Sequence, residues 1–192
     1  MARATLKLPA TGKIVLSVGS LIPRKGVHLV IKAMKAIRDS SGLDLYYVIV
    51  GEGSYRRELE LLASSVGLAD RVHFCGEVAH HQLHVWYSAA DIFCLASSRE
   101  GWPNVILESM ACGTPVVATN VWGIPEIIQS DRVGLLTERN EHQIAQTLLK
   151  GLNAEWEAST IREYACRYTW DRAARSVLDV FKIAVGDTSR QE

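Results

Sequence analysis

Three features of this 192-residue chain predict an α/β fold, a doubly wound parallel sheet of about six strands followed by C-terminal helices. Short β-branched apolar runs alternate with longer segments of helical spacing, the order a parallel sheet with crossover helices demands. Runs such as Tyr46-Tyr47-Val48-Ile49-Val50 are apolar throughout, as strands covered on both faces must be. From residue 141 onward the pattern turns wholly helical. No repeat of 20 to 50 residues signals a solenoid instead.

Taken in order, strands are predicted at Lys13–Val18, Leu45–Val50, Val72–Phe74, 92–96, Val116–Thr119 and 134–136. A helix over 26–38 is expected because Val27, Val30, Ile31, Met34 and Ile37 recur three and four residues apart, making one apolar face. A second, over 55–66, follows the turn Gly51-Glu52-Gly53 with Ser54 as its cap. Further helical segments are 80–89, Asn104–Ala111 and 124–129. Gly101 and Pro103 hold off the helix that Asn104 then caps. Beyond residue 141, Ile144, Leu148 and Leu152 share one face, helices follow over 161–168 and 170–185, and the polar stretch 186–192 reads as a frayed tail. These last helices belong either to the same core or to an outer layer.

Composition narrows the function classes. With 21 Lys+Arg against 21 Asp+Glu, the formal charge is zero, so a generic polyanion binder such as a nucleic-acid protein is not indicated. At 48% hydrophobic and 22% charged, the chain has the apolar material for a packed core. A length of this order most often forms one domain, here 1–192, burying roughly 70% of the surface of the unfolded chain. The longest uncharged stretch, 109–125, is interrupted by Gly113, Pro115, Asn120, Gly123 and Pro125, so no membrane span is expected. Residues 1–12 lack the pattern of a secretory leader, and a cytoplasmic protein is the expectation. Cys75, Cys94, Cys112 and Cys166 show no C-x-x-C spacing and read as buried free thiols.

Ligands of open parallel sheets bind outside the carboxyl ends of the strands. After the first strand, Gly19-Ser20-Leu21-Ile22-Pro23-Arg24-Lys25-Gly26 brings two cations to a helix start, an anion site in the making. The order Lys25-Gly26-Val27 is not that of a Walker A loop, and a solvated turn is the competing reading. After the second strand, Arg56 stands where the dinucleotide fingerprint needs its third glycine, so a nicotinamide cofactor is disfavoured. After the fourth, the loop from Ser97 carries Glu100, and Glu108 falls about one turn into the next helix. Side chains lean toward a helix N-terminus, so both carboxylates are expected at one helix mouth. There they can accept from sugar hydroxyls while the amides of Asn104 and Val105 hold a phosphate. A carboxylate that merely favours the helix dipole is the plainer alternative.

His80, His81 and His84 include a pair on one helix face, a spacing able to bind a metal, although the sequence shows no acidic or Cys partner nearby; no metal site is assigned. Trp86, Tyr87, Trp102, Trp122, Trp156 and Trp170 are spaced as core or pocket-lining residues and receive no chemistry.

Together the three loops resemble the C-terminal, nucleotide-sugar-binding domain of retaining glycosyltransferases of family 4, or group 1, which have the two-domain GT-B fold. Glu100, seven residues, Glu108, then Ser109-Met110-Ala111-Cys112-Gly113-Thr114-Pro115-Val116-Val117-Ala118 resembles the family's most specific signature. Val18-Gly19, Lys25-Gly26, Val50-Gly51-Glu52-Gly53, Ala89-Ala90-Asp91 and Gly123-Ile124-Pro125-Glu126 follow in the family's order. The likeness implies a Rossmann-like half of a GT-B enzyme, a hexosyltransferase moving sugar from a UDP- or GDP-sugar to a glycan, lipid or small-molecule acceptor with retention. It implies Glu108 at the ribose, Glu100 beside the donor sugar, Lys25 with Gly19 at the diphosphate, the amides of Asn104 and Val105 at phosphate and sugar, and the main chain at Val78 at the base. Ser20 departs from the family, which commonly has Arg there, and Arg24 is the candidate substitute. No cofactor is implied and, without an Asp-x-Asp cluster, no metal. The acceptor-binding N-terminal domain is then the absent partner, through which peripheral membrane contact would be made, and the last helix resembles the one crossing back to it. An epimerase, another nucleotide-binding enzyme of this sheet type, and a non-catalytic binding domain with a degenerate site stay open as alternatives.

Overall fold

The computed structural model describes residues 2–184. The tail expected over 186–192, and residue 185 of the last expected helix, lie outside the described residues. The described residues form a six-stranded, wholly parallel sheet in the order β3-β2-β1-β4-β5-β6. Its strands are β1 Lys13–Val18, β2 Leu45–Val50, β3 Val72–Phe74, β4 Ile92–Leu95, β5 Val116–Thr119 and β6 Gly134–Thr137. Four match the sequence reading residue for residue; β4 ends one residue earlier and β6 runs one further. The helices are α1 Ala2–Thr5, α2 Val27–Ser41, α3 Arg56–Ser65, α4 Leu83–Ala89, α5 Asn104–Ala111, α6 Ile124–Ile127, α7 Glu141–Asn153, α8 Ala158–Ala165 and α9 Trp170–Ala184. Neither α1 nor the 3₁₀ turns Pro23–Lys25 and His80–Gln82 were expected from the sequence pattern.

Side-chain alternation along each strand divides the core in two. Val15, Tyr47, Ile49, Ile92, Val117 and Leu135 face α2, α3 and α7, whereas Ile14, Leu16, Val48, Phe93, Val116 and Ala118 face α4, α5, α6 and α8. Each Val, Leu, Ile or Phe among them contributes roughly 1.5–3 kcal/mol on full burial. The C-terminal helices therefore split between the two expectations. Ile144, Leu148 and Leu152 bury α7 in the first core, and Ile161, Tyr164 and Ala165 bury α8 in the second, while α9 has no buried residue.

Two caps differ from expectation. Pro103 rather than Asn104 occupies the N-cap of α5, because its extended backbone (ψ 99°) already turns the chain into the helix, and Asn104 becomes the first helical residue. Tyr55 rather than Ser54 precedes α3, with no side-chain cap, since Tyr55 N–H is engaged by the Leu21 carbonyl at 3.0 Å. The expected helix over 80–89 is broken into a 3₁₀ turn and α4, so His80 and His84 do not lie on one α-helical face. Cys166 is exposed, against the reading of all four thiols as buried, whereas Cys94 is enclosed.

Sheet order reverses between β1 and β4: the chain winds outward through β2 and β3, then returns to build β4, β5 and β6 on the other side. The loops leaving β1 and β4 therefore meet at the carboxyl edge. Their contact is tight at Gly26, whose φ of 72° is left-handed and whose added Cβ would lie 2.0 Å from the Ala96 carbonyl oxygen. Ser98 N–H also donates to the Arg24 carbonyl at 2.9 Å.

Gly26→Ala is expected to lower unfolding free energy by more than about 2 kcal/mol, combining a left-handed penalty with a backbone clash. Urea denaturation reads it, and a loss under about 1 kcal/mol would show that the loops separate easily. Burial pushes the Cys94 thiol up to about 12, above an unfolded value of about 8.5. Its contribution to stability is thus intact below the unfolded value and fades as pH rises toward the folded one. At pH 8 the folded chain should label at Cys166 within minutes and at Cys94 only after unfolding; equal labelling rates by mass spectrometry would contradict the enclosure of β4.

Candidate functional site

At the switch point, the 3₁₀ turn Pro23–Lys25 carries Lys25 over the β4 loop, where its Nζ lies 2.6 Å from Glu100 Oε1. Both side chains are largely enclosed, so the pair is screened less than a surface one. Ser97, wholly buried, donates its hydroxyl to the same Oε1 at 2.7 Å, and its carbonyl accepts from Thr119 Oγ1 at 2.6 Å. Glu100 is thereby held from β1, β4 and β5 together. Arg24 donates to the Arg99 carbonyl at 2.8 Å and lies 3.9 Å from Glu100 Oε2. It does face the β4 loop, as a substitute for a cation at Ser20 would need, while Ser20 itself is exposed on the rim. Gly19 opens the loop at a φ of 146°, with the Lys25 stem passing 3.7 Å from where its Cβ would be.

The second carboxylate sits apart from the first. Glu108, in the second turn of α5, accepts from the Tyr87 hydroxyl of α4 through Oε2 at 2.8 Å, and His80 Nε2 lies 3.4 Å from Oε1. The two carboxylates flank the start of α5 with separate partners. Glu108 and Asn104 line a groove of about 690 Å³ together with Trp102, Tyr168 and residues of α9. The amides of Asn104 and Val105 open α5 and have no intrahelical acceptor, so they are free to meet an anion. Val78, partly buried, packs against the second core just before the turn that bears His80.

A neighbouring loop locks the arrangement. Gly123 N–H donates to the Glu100 carbonyl at 3.2 Å, and a Cβ on Gly123 would lie 1.8 Å from the Gly101 oxygen. Trp122 before it has a left-handed φ of 50° and remains exposed, with the Arg99 guanidinium 5.5 Å from its ring centre. Trp102 and Trp170 are exposed as well, so these three are rim residues rather than core. Among the described residues no group of three or more His, Cys, Asp and Glu side chains gathers as metal ligands would, and no helix is long and apolar enough to cross a membrane.

Sequence reasoning missed Ser97 and Tyr87. Ser97 lies in the loop it singled out, but the direction of a hydroxyl leaves no mark in spacing. Tyr87 was read as packing, which its ring does against Phe93 at 5.6 Å; only the partner of its oxygen shows the rest.

The profile described as "Glycosyl transferases group 1" matches residues 2–167. The chain belongs to this family. D-inositol 3-phosphate glycosyltransferase from Salinispora arenicola is 34% identical to it over 199 residues, covering 96% of the chain and 44% of that relative. Among solved structures, sucrose-phosphate synthase from Thermosynechococcus elongatus superposes with a TM-score of 0.84 at 30% identity, over 97% of the chain and 49% of the synthase. HepE from Anabaena in complex with UDP gives 0.68 at 25%, over 86% and 50%. The group 1 chain thus spans about half the length of the relatives it matches, and its fold is the Rossmann-like half of a GT-B architecture.

Loss of the Ser97 hydroxyl should act through Glu100. Ser97→Ala is expected to cost about 1–3 kcal/mol of stability, with a coupling to Glu100→Ala above about 0.5 kcal/mol in a double-mutant cycle. Additive losses in urea denaturation would show that the two side chains do not cooperate.

Proposed function

We propose that this chain is the donor-binding domain of a retaining hexosyltransferase. It binds a UDP- or GDP-sugar at the β1/β4 switch point and, with an acceptor-binding domain outside this chain, transfers the sugar to a glycan, lipid or small molecule. The observation that carries the reading is Lys25 held against Glu100, four residues before the start of α5, whose first two amides have no intrahelical acceptor. The UDP found in HepE supports a nucleotide here.

Glycosyl transfer passes through an oxocarbenium-like state while charge builds on the departing nucleoside diphosphate. Lys25 and the amides of Asn104 and Val105 stabilise that charge where it develops. Lys25 must exchange part of its bond to Glu100 for the phosphate, which frees the Glu100 carboxylate to meet the sugar. Arg24 supplies the second cation in place of Ser20, and Gly19 lets the β1 loop approach the diphosphate. Glu108 accepts from the ribose, and the main chain at Val78 contacts the base. These donors do the work of a divalent ion, so transfer is metal-independent on this reading. The exposed apolar side of α9, with Val177, Leu178 and Phe181, fits a helix that docks on the acceptor domain. The four free thiols fit a reducing compartment, the cytoplasm.

Thermal-shift titration with UDP, GDP, ADP, their sugars and NAD tests the assignment, since ligand at 100 times its dissociation constant stabilises by about 2.7 kcal/mol. UDP or GDP and their sugars are expected to stabilise the chain. Stabilisation by NAD alone would defeat the reading, and silence toward every nucleotide would favour a degenerate binding domain. Calorimetry on Glu108→Gln should show nucleoside diphosphate binding weakened by about 1.5–3 kcal/mol, as for loss of a charged acceptor; unchanged affinity removes Glu108 from the ribose.

A further inference from the structure

Tyr87 is enclosed in the second core and fixed at both ends. Its ring packs edge-on against Phe93 of β4 at 5.6 Å, and its carbonyl accepts from Thr114 Oγ1 at 2.8 Å. Among the described residues, its hydroxyl has one partner, Glu108 Oε2, at 2.8 Å. Burial first, and then the charge of Glu108, push this phenol far above its usual range, so it keeps its proton and donates it to the carboxylate. The two carboxylate oxygens of Glu108 thus differ in kind. Oε2 is taken from the buried side, whereas Oε1 lies toward exposed His80 and the groove that Asn104 also lines.

A carboxylate on a helix is otherwise free to turn about its last bond, a broad two-fold torsion, and to present either oxygen. We propose that Tyr87 is a positioning residue that fixes this rotation, so that Glu108 Oε1 is aimed at the vicinal hydroxyls of a ribose and the site prefers ribonucleotides to deoxyribonucleotides. This rests on the assignment of Glu108 to the ribose made above. The hydroxyl acts through Glu108 alone: it touches no ligand, and its removal leaves the ring, and hence the packing on Phe93, in place.

Tyr87→Phe in the full 192-residue chain, with UDP and 2′-deoxy-UDP as calorimetric probes, tests it. Affinity for UDP is expected to fall about 5- to 10-fold, on the order of one ordinary hydrogen bond, while affinity for 2′-deoxy-UDP changes less than about 2-fold. In a Glu108→Ala background the same substitution should leave UDP affinity unchanged. Tyr164→Phe is the control, since that hydroxyl is also buried, on the Ile127 carbonyl at 2.7 Å, away from Glu108; it should alter the melting temperature without altering the UDP to deoxy-UDP ratio. Equal losses for the two nucleotides, or an undiminished effect without Glu108, would overturn the role of Tyr87 while leaving the nucleotide site standing. Failure of the unaltered chain to bind either nucleotide would overturn both.

Discussion

Everything at the carboxyl edge depends on how closely the β1 and β4 loops approach. At Gly26 the backbone of one lies against the Ala96 carbonyl of the other with no room for a methyl group. Arg139, following β6, donates to that same carbonyl at 3.1 Å, so three strands fix one peptide. The backbone from which Lys25 and Glu100 project is thereby fixed at one peptide. The placement of the two loops is therefore a property of the sheet, and the reorganisation left when a ligand arrives is that of the Lys25 and Glu100 side chains.

The same economy recurs inside the sheet. Tyr47 donates to Ser17 Oγ at 2.8 Å, and Ser17 donates to the Cys94 carbonyl at 2.6 Å, which joins β2, β1 and β4 through buried hydroxyls. Ser97 and Thr119 repeat the device one layer nearer the edge. In both, a polar group buried without a partner would be destabilising, so each hydroxyl has only one low-energy orientation. Beneath a site built from loops, these hydroxyls provide the rigidity the loops lack.

Much of this was legible in the residues. Continuous apolar runs and period-3.6 patterns placed all six strands and nearly all the helices, because burial on both faces of a parallel sheet leaves little choice of residue. The candidate loops followed from the rule that ligands bind beyond the carboxyl ends of the strands, and Lys25, Glu100 and Glu108 from their place in or just after those loops. What escaped was contact between distant hydroxyls and carboxylates. Nothing local to Tyr87 or Ser97 marks its oxygen as bonded to Glu108 or Glu100, since a core tyrosine and a loop serine serve many ends. Caps failed for a related reason: Pro103 and Tyr55 took those positions through tertiary backbone geometry, where Asn104 and Ser54 have the better intrinsic preference. His80 and His84 lost their shared helical face because the first turn is tighter than an α-helix.

The last helix carries a different lesson. Trp170, Ala173, Ala174, Val177, Leu178 and Phe181 line one side of α9, and Asp171, Arg172, Arg175, Asp179 and Lys182 the other, yet the described part of it contributes no side chain to either core. Fifteen residues are at the margin of what holds a helix in water without tertiary support. With no side chain in either core, this helix has little tertiary support within the described residues, so what covers its apolar side bears directly on its helical content.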